Sequence, residues 1–507
     1  MSGVVRLPEE LLKFLDLPGP QTLLVRGPPG SGKTTLSLAL LEAFHGDKFL
    51  VTSRVPNREI NREFPWLGNN GSRHIEVVDT SEMEESVHDI ARVINQAREY
   101  LLLPEPTKED REFAKFLWLP PPLQDTWARL RPPTPALIVI DSWDALVEQF
   151  LADEGHSEGP VPDRDQIERL LIRRMSRTPA HLVFIRERDD QTALDYLVNA
   201  VVVTDRTSKN DRLERWMTLM KLRGVRIENP VYPYTLESGR FESILPLRPY
   251  AELRSGPPDP EPDAMPSHIW PGARVFADNF GRLAFGKTTL LEMDTEVSGR
   301  VADVIVLPMV AHVLRQGGRV VMLPLSSQTP RDCYEMLNGA VPKERFLSHC
   351  RFVLAPGPIP PSSTEMWETV LPVARASERP TPATLLESEA IRFLREGASA
   401  RTPGLLVVSV SGFISFVSSL GMRVTTETAA RVAEAYQPAI RDVPVHAVIV
   451  AREEPELVAP LRVTAAVRVA VGIRQGRVFL HGIVPWTPSF VLTEGSETSP
   501  YELLRVV

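Results

Sequence analysis

An α/β protein of two tandem domains, each a mostly parallel central sheet flanked by helices, is what this 507-residue sequence predicts. Three observations carry the expectation. Short Val/Ile/Leu runs without polar alternation, such as "ALIVI" from Ala136 and "AHLVFI" from Ala180, read as strands buried on both faces, and helical patterns separate them. The stretch "TLLVRGPPGSGKTTLSLALLEAF" from Thr22 reads as a strand, a glycine-rich turn and an apolar helix. Finally, four blocks of the first half recur in the same order in the second.

The bulk composition narrows the class. A 43% hydrophobic, 24% charged chain is ordinary for a globular protein, and 507 residues are too many for one core. A net charge of −8 argues against a protein that coats nucleic acid. Cys333 and Cys350 cannot build a disulfide framework and do not stand at metal-ligand spacing. The start, "MSGVVRLPEELLKFLDL", lacks the basic and apolar regions of a signal peptide. The longest apolar run, Val301–Leu314, is too short for a bilayer and holds Asp303 and Pro308. A cytoplasmic protein with no membrane span is expected.

Two proline-rich stretches divide the chain. Residues 248–272, rich in Pro and acidic side chains, read as a linker between domains at 1–247 and 273–507. Residues 103–135 read as an insertion or long surface loop within the first domain.

The repeat is seen by setting "TLLVRGPPGSGKTT" from Thr22 over "TLLEMDTEVSGRVA" from Thr289 without gaps. After a helix, "KFLVTS" then answers to "RVVMLPL". "ALIVIDSWDAL" from Ala136 answers to "GLLVVSVSGFI" from Gly404, "AHLVFIRE" to "VHAVIVAR" from Val445, and "KLRG" from Lys221 to "FLHG" from Phe479. One or two such matches arise by chance among apolar strands. The ordered set points to a tandem duplication.

The chemistry sits in the first copy. In "GPPGSGKTT", spanning Gly27, Pro28, Pro29, Gly30, Ser31, Gly32, Lys33, Thr34 and Thr35, glycines let backbone N–H groups wrap a β-phosphate at a helix start. Lys33 would reach the β- and γ-phosphates of ATP, and the Thr34 hydroxyl would ligate Mg²⁺. Asp141 ends the strand "ALIVI", where open α/β sheets place ligands, and would hold the same Mg²⁺ through water.

These segments, with "MKLRGVRIENPVYPYTLESGRF" from Met220, resemble the RecA-type P-loop ATPases of the KaiC/RadA-like group, most of all the archaeal GvpD-type (gas-vesicle regulator) branch. The resemblance implies two tandem RecA-like domains, the first binding ATP and Mg²⁺. It implies that Lys221 and Arg223 contact a neighbour's γ-phosphate in trans, and hence self-association or a protein partner. It also implies a catalytic Glu just after the strand that follows the P-loop helix. Here "KFLVTSRVPNREI" places Ser53 and Arg54 there instead. Glu59, Glu63 and Asp144 are nearby substitutes that do not match the motif. Binding of ATP with slow or partner-dependent hydrolysis is therefore expected, and Arg54 could sense the γ-phosphate.

The second copy has lost this chemistry. In the gapless alignment Arg300 and Val301 replace Lys33 and Thr34, Asp294 and Val297 replace Gly27 and Gly30, Ser409 replaces Asp141, and Phe479 and His481 replace Lys221 and Arg223. Lys287 belongs to a second Gly-x₄-Gly-Lys-Thr match, "GRLAFGKTTL", but that match spells the strand that enters the ruined loop. The expected function is a nucleotide-dependent regulatory switch with one pseudo-ATPase domain. The alternatives are a RadA-like DNA recombination ATPase and a scaffold that holds nucleotide without hydrolysing it. The net acidity, and the acid-containing loop "RERDDQTALDYLVN" from Arg186, disfavour nucleic acid as a partner.

Overall fold

The computed structural model describes residues 7–52, 57–64, 75–79, 126, 130, 134–153, 164–175, 180–188, 190–245, 258–262, 265, 267–323, 330–337, 339–353, 390–419, 437–438, 440–452, 455–495 and 499–506. The chain divides into two compact units, one over residues 1–245 with 506–507 and one over 246–505.

In the first unit the strands are β1 (Thr22–Arg26), β2 (Asp47–Thr52), β3 (Ile75–Asp79), β4 (Ala136–Asp141), β5 (Ala180–Ile185), β6 (Ala200–Lys209), β7 (Arg212–Leu222), β8 (Val231–Thr235) and β9 (Glu242–Ser243). They form one sheet in the order β3-β2-β4-β5-β1-β6-β7-β8-β9. From β3 to β6 every neighbour is parallel. Beyond β6 the sheet continues as antiparallel hairpins. Both faces of the parallel core are covered, which is why its strands read as unbroken apolar runs. Leu23, Val25, Val139 and Val183 pack with Leu36 and Leu40 of the helix Lys33–Ala43 on one face. On the other, Leu24, Ile138 and Phe184 pack with Trp143, Leu146 and Ile167. Each such buried side chain contributes about 1.5–3 kcal/mol.

In the second unit β10 (His268–Ile269) and β11 (Leu283–Ala284) make a small antiparallel pair. The main strands are β12 (Thr288–Met293), β13 (Arg319–Leu323), β14 (Cys350–Phe352), β15 (Gly404–Ser409), β16 (Val445–Arg452), β17 (Val467–Arg474), β18 (Arg477–Val484), β19 (Phe490–Glu494) and β20 (Tyr501–Arg505). Their order, β14-β13-β15-β16-β12-β17-β18-β19-β20, repeats the first sheet strand for strand. The change from parallel to antiparallel falls at the same place.

Hydrogen-bonded register fixes the equivalences residue by residue. Ala136 pairs with Ala180 and Gly404 with Val445; Thr22 then pairs with Leu182 and Thr288 with Ala447. Thr22 therefore corresponds to Thr288, one residue earlier than the gapless alignment sets it. The tandem Thr288-Thr289 offered two ways to match "TLL", and letters alone chose the wrong one. The bulge between Val201 and Val202 recurs between Arg468 and Val469. Lys221, partner of Val201, corresponds to Val484, partner of Arg468, rather than to Phe479. Arg223, two residues on, corresponds to Trp486 rather than His481. The β17–β18 hairpin is shorter than β6–β7, and a gapless block could not register that loss.

Part of the stretch 248–272 read as a linker belongs to the second unit. Trp270 is buried and donates its indole N–H to the Asp259 carbonyl, and the Asp259 carboxylate accepts from the Arg274 amide. A Pro- and acid-rich composition hid one capping aspartate and one aromatic anchor. The 103–135 stretch lies outside the described residues except at 126, 130 and 134–135. The run Val301–Leu314 is buried throughout, inside the helix Gly299–Arg315. Among the described residues no helix is long and apolar enough to cross a membrane.

Candidate functional site

β1 delivers its last residue, Arg26, to the loop 27–32, and the helix Lys33–Ala43 follows at once. Gly27, Gly30 and Gly32 all have positive φ, at 153°, 72° and 80°. A side chain at Gly32 would also strike Leu236. Such a run of left-handed glycines turns successive N–H groups into one concavity, an anion nest at a helix start.

Two strands outside the loop hold it in shape. The Ser31 and Thr204 hydroxyls are 2.8 Å apart. Tyr234, buried on β8 and stacked on Phe241 at 4.4 Å, donates its hydroxyl to the Ser31 carbonyl. Burial pushes the Tyr234 phenol well above its ordinary range, so it remains a donor. The Lys33 ammonium donates to the carbonyls of Gly27 and Pro28 at 2.7 and 2.9 Å, arching over the loop. The Thr34 hydroxyl donates to Asp141 Oδ2 at 2.6 Å. Lys33, Thr34 and Asp141 are thus brought together as the sequence predicts, with Thr35 buried one residue further along the helix.

Other predicted residues fall elsewhere. Asp144 is buried, and Arg164, Arg186 and the Glu187 amide all bind its carboxylate, the last at 2.8 Å. Burial alone would raise its pKa; these three partners outweigh that and hold it below the usual carboxylate range. A carboxylate so committed is a poor base and a good structural charge. Ser53 and Arg54 lie outside the described residues, while Glu59 and Glu63 are exposed.

Lys221 and Arg223 are not brought to the loop of their own chain. The Arg223 amide bonds to the Asn199 carbonyl and the Asn199 amide to the Thr22 carbonyl, at the end of β1 opposite the loop. There the Lys221 ammonium donates to the carbonyls of Asp195, Tyr196 and Val198 at 3.1, 3.2 and 2.7 Å, closing the carboxyl end of the helix Ala193–Leu197. Desolvation and the Arg223 charge hold its pKa below the usual lysine value.

The corresponding loop of the second unit is built differently. Lys33 stands seven positions after Arg26, and Gly299, where that helix begins, stands seven positions after Glu292. Gly299 and Arg300 therefore stand where Lys33 and Thr34 do, a correction of one residue to Arg300 and Val301. No residue between Met293 and Gly299 has positive φ. Val297, in the place of Ser31, is fully buried in the core. Ser298 caps the helix by accepting from the Arg300 amide at 3.3 Å, and the Arg452 guanidinium donates to the Val297 carbonyl. Ser409, in the place of Asp141, bonds to Ser411 and the Gly412 amide. Lys287 is exposed, just before β12, at the end of the strand away from this loop.

Thr204 and Tyr234, which brace the first loop, were not singled out by sequence. Their only local signal is the hairpin and "VYPYT" segments in which they sit.

No protein-family model matches the chain. Protein GvpD2 of Halobacterium salinarum is 28% identical to it over 361 residues, covering 69% of this chain and 67% of that protein. Protein GvpD1 of the same organism is 25% identical over 397 residues, covering 75% and 69%. The chain is GvpD-like over the greater part of its length.

Proposed function

We propose that this protein is a nucleotide-dependent regulatory switch: its first unit binds MgATP, and its second keeps the fold without the site. The observation that carries this is the 2.6 Å bond between Thr34 and Asp141 beside a loop of three left-handed glycines. Those two oxygens converge where a P-loop ATPase needs its Mg²⁺ ligands, one direct and one through water. Residues Gly27–Thr35 would cradle the phosphates, and Lys33 would exchange its two loop carbonyls for phosphate oxygens. Bound MgATP would supply a reactive γ-phosphoryl group and a dense negative charge. A parallel core that carries this loop after its central strand fits the RecA-type fold of the KaiC/RadA-like group.

Asp144 is tied up in ion pairs, and the position of the family's catalytic Glu carries Ser53-Arg54. We therefore assign slow or partner-dependent hydrolysis to this site. Lys221 and Arg223 are turned away from their own loop and would serve a neighbour's by exchanging their present carbonyl partners for phosphate oxygens, which couples the site to self-association or a protein partner. The resemblance to gas-vesicle regulators and the likeness to GvpD proteins favour a regulatory role in the cytoplasm.

The test compares MgATP binding by Lys33→Ala and Lys287→Ala, together with turnover with and without DNA. Lys33→Ala abolishes binding and Lys287→Ala leaves it unchanged. Equal losses would overturn the assignment of one site, and brisk DNA-stimulated hydrolysis would replace the switch with a recombinase.

A further inference from the structure

One guanidinium group stands against the glycine-rich loop, a second lies across from it on the same sheet face, and neither takes part in the contacts above. Arg206, on β6, places Nη1 3.0 Å and Cζ 3.7 Å from where a side-chain carbon would begin at Gly30. Arg215 faces Arg206 directly in the β6–β7 register. Opposed residues of antiparallel strands send their side chains to the same face of the sheet.

Arg215 Nε and Nη1 are buried and have no hydrogen-bond partner among the described residues. Burial holds its pKa below the usual arginine value; Arg206 lowers it further, and Tyr234 opposes both. Its electrostatic neighbours are thus a second cation and the hydroxyl that braces Ser31. Asp205, next to Arg206, spends an oxygen on the Arg206 backbone amide, and Glu214, next to Arg215, alternates to the opposite face of its strand. Among the described residues neither guanidinium is in an ion pair.

A cation whose buried donors go unused, set across from a second, exposed cation, opposes folding unless an anion meets them. The repeat offers an internal comparison. Arg206 and Arg215 correspond to Ile473 and Val478, which face each other in the β17–β18 register. The pair has disappeared in the unit whose loop lost its left-handed glycines, and it persists where the loop is intact.

We propose that Arg206 and Arg215 form a clamp on the phosphates of a nucleotide held by the loop of their own chain. The β6–β7 hairpin would then read polyphosphate occupancy at its turn end, while Lys221 and Arg223 lie at its other end. The proposal rests on the nucleotide reading above.

Equilibrium titration of the full chain with MgATP and with inorganic tripolyphosphate tests it. Arg206 is exposed, so Arg206→Gln keeps the fold. It weakens both ligands by roughly tenfold, as expected for a lost charge-assisted hydrogen bond. Arg206→Lys and Arg215→Lys recover part of the affinity, and Arg206→Gln with Arg215→Gln loses about a hundredfold. Wild-type binding that Lys33→Ala abolishes but Arg206→Gln leaves within about twofold would overturn the clamp alone. Loss toward ATP with tripolyphosphate unchanged would move the contact to base or ribose and refute the phosphate assignment. Absence of wild-type binding would overturn the nucleotide reading and the clamp with it.

Discussion

Thr289 and His446 share a 3.0 Å hydrogen bond between adjacent strands of the second unit, both fully buried. The other ring nitrogen, Nδ1, lies 2.7 Å from the Ala284 carbonyl. A neutral ring that donates there and accepts from Thr289 satisfies both contacts.

That environment makes the second unit sensitive to acid. Burial pushes His446 down to about 4, with the Ala284 carbonyl opposing and His268 adding to the shift. The unfolded chain takes up the proton near pH 6.5 and the folded chain resists until about pH 4. The His446 contribution is therefore complete above pH 6.5 and is lost as the pH drops toward 4, by about 3 kcal/mol at most. Burial pushes His312 of the same unit down to about 4 as well, so it titrates over the same range. Urea unfolding from pH 7.5 to 4 should show the combined slope, and His446→Gln should make it shallower without abolishing it; an unchanged slope would assign the titration to other groups.

Gly27 cannot take a side chain. A carbon added there would sit 2.0 Å from the Thr204 carbonyl oxygen, on backbone with positive φ. Gly27→Ala should cost about 2–4 kcal/mol in denaturant unfolding, as overpacking against backbone does. Gly19 also has positive φ but nothing within 4 Å, so Gly19→Ala should cost only about 1 kcal/mol. Similar losses at both would mean that strand β6 gives way.

Metal dependence isolates Asp141. Asp141→Asn keeps a partner for the Thr34 hydroxyl and removes one negative charge, so metal-free nucleotide affinity should stay the same or rise. The gain in affinity on adding Mg²⁺ should shrink by about tenfold. Titrations with ATP in EDTA and in excess Mg²⁺ measure both, and an undiminished Mg²⁺ gain would place the ion elsewhere.

The loop, its lysine and its aspartate were legible because each is written locally: glycines between a strand and a helix, an acid at a strand end. The tandem architecture was legible from order alone. What sequence could not provide was register. Thr22 answers to Thr288 because of its bonds to β5, and Lys221 to Val484 because of a bulge on β6. The loop's supports are equally remote, since Thr204 and Tyr234 lie 173 and 203 residues from Ser31. The β6–β7 hairpin shows only polar alternation in sequence, and folding alone reveals that two of its arginines share one face.

Val297 locks the second loop into its present form. A lysine restored at Gly299 would still find an isopropyl group in the core where the first unit has a serine, and a backbone with no left-handed turn. Replacing Val297 to reopen the nest would first leave a hole in the core, so each partial reversal is less stable than the present state. The outer surface of the second unit carries no such penalty and can change freely, whereas this loop cannot be rebuilt one residue at a time.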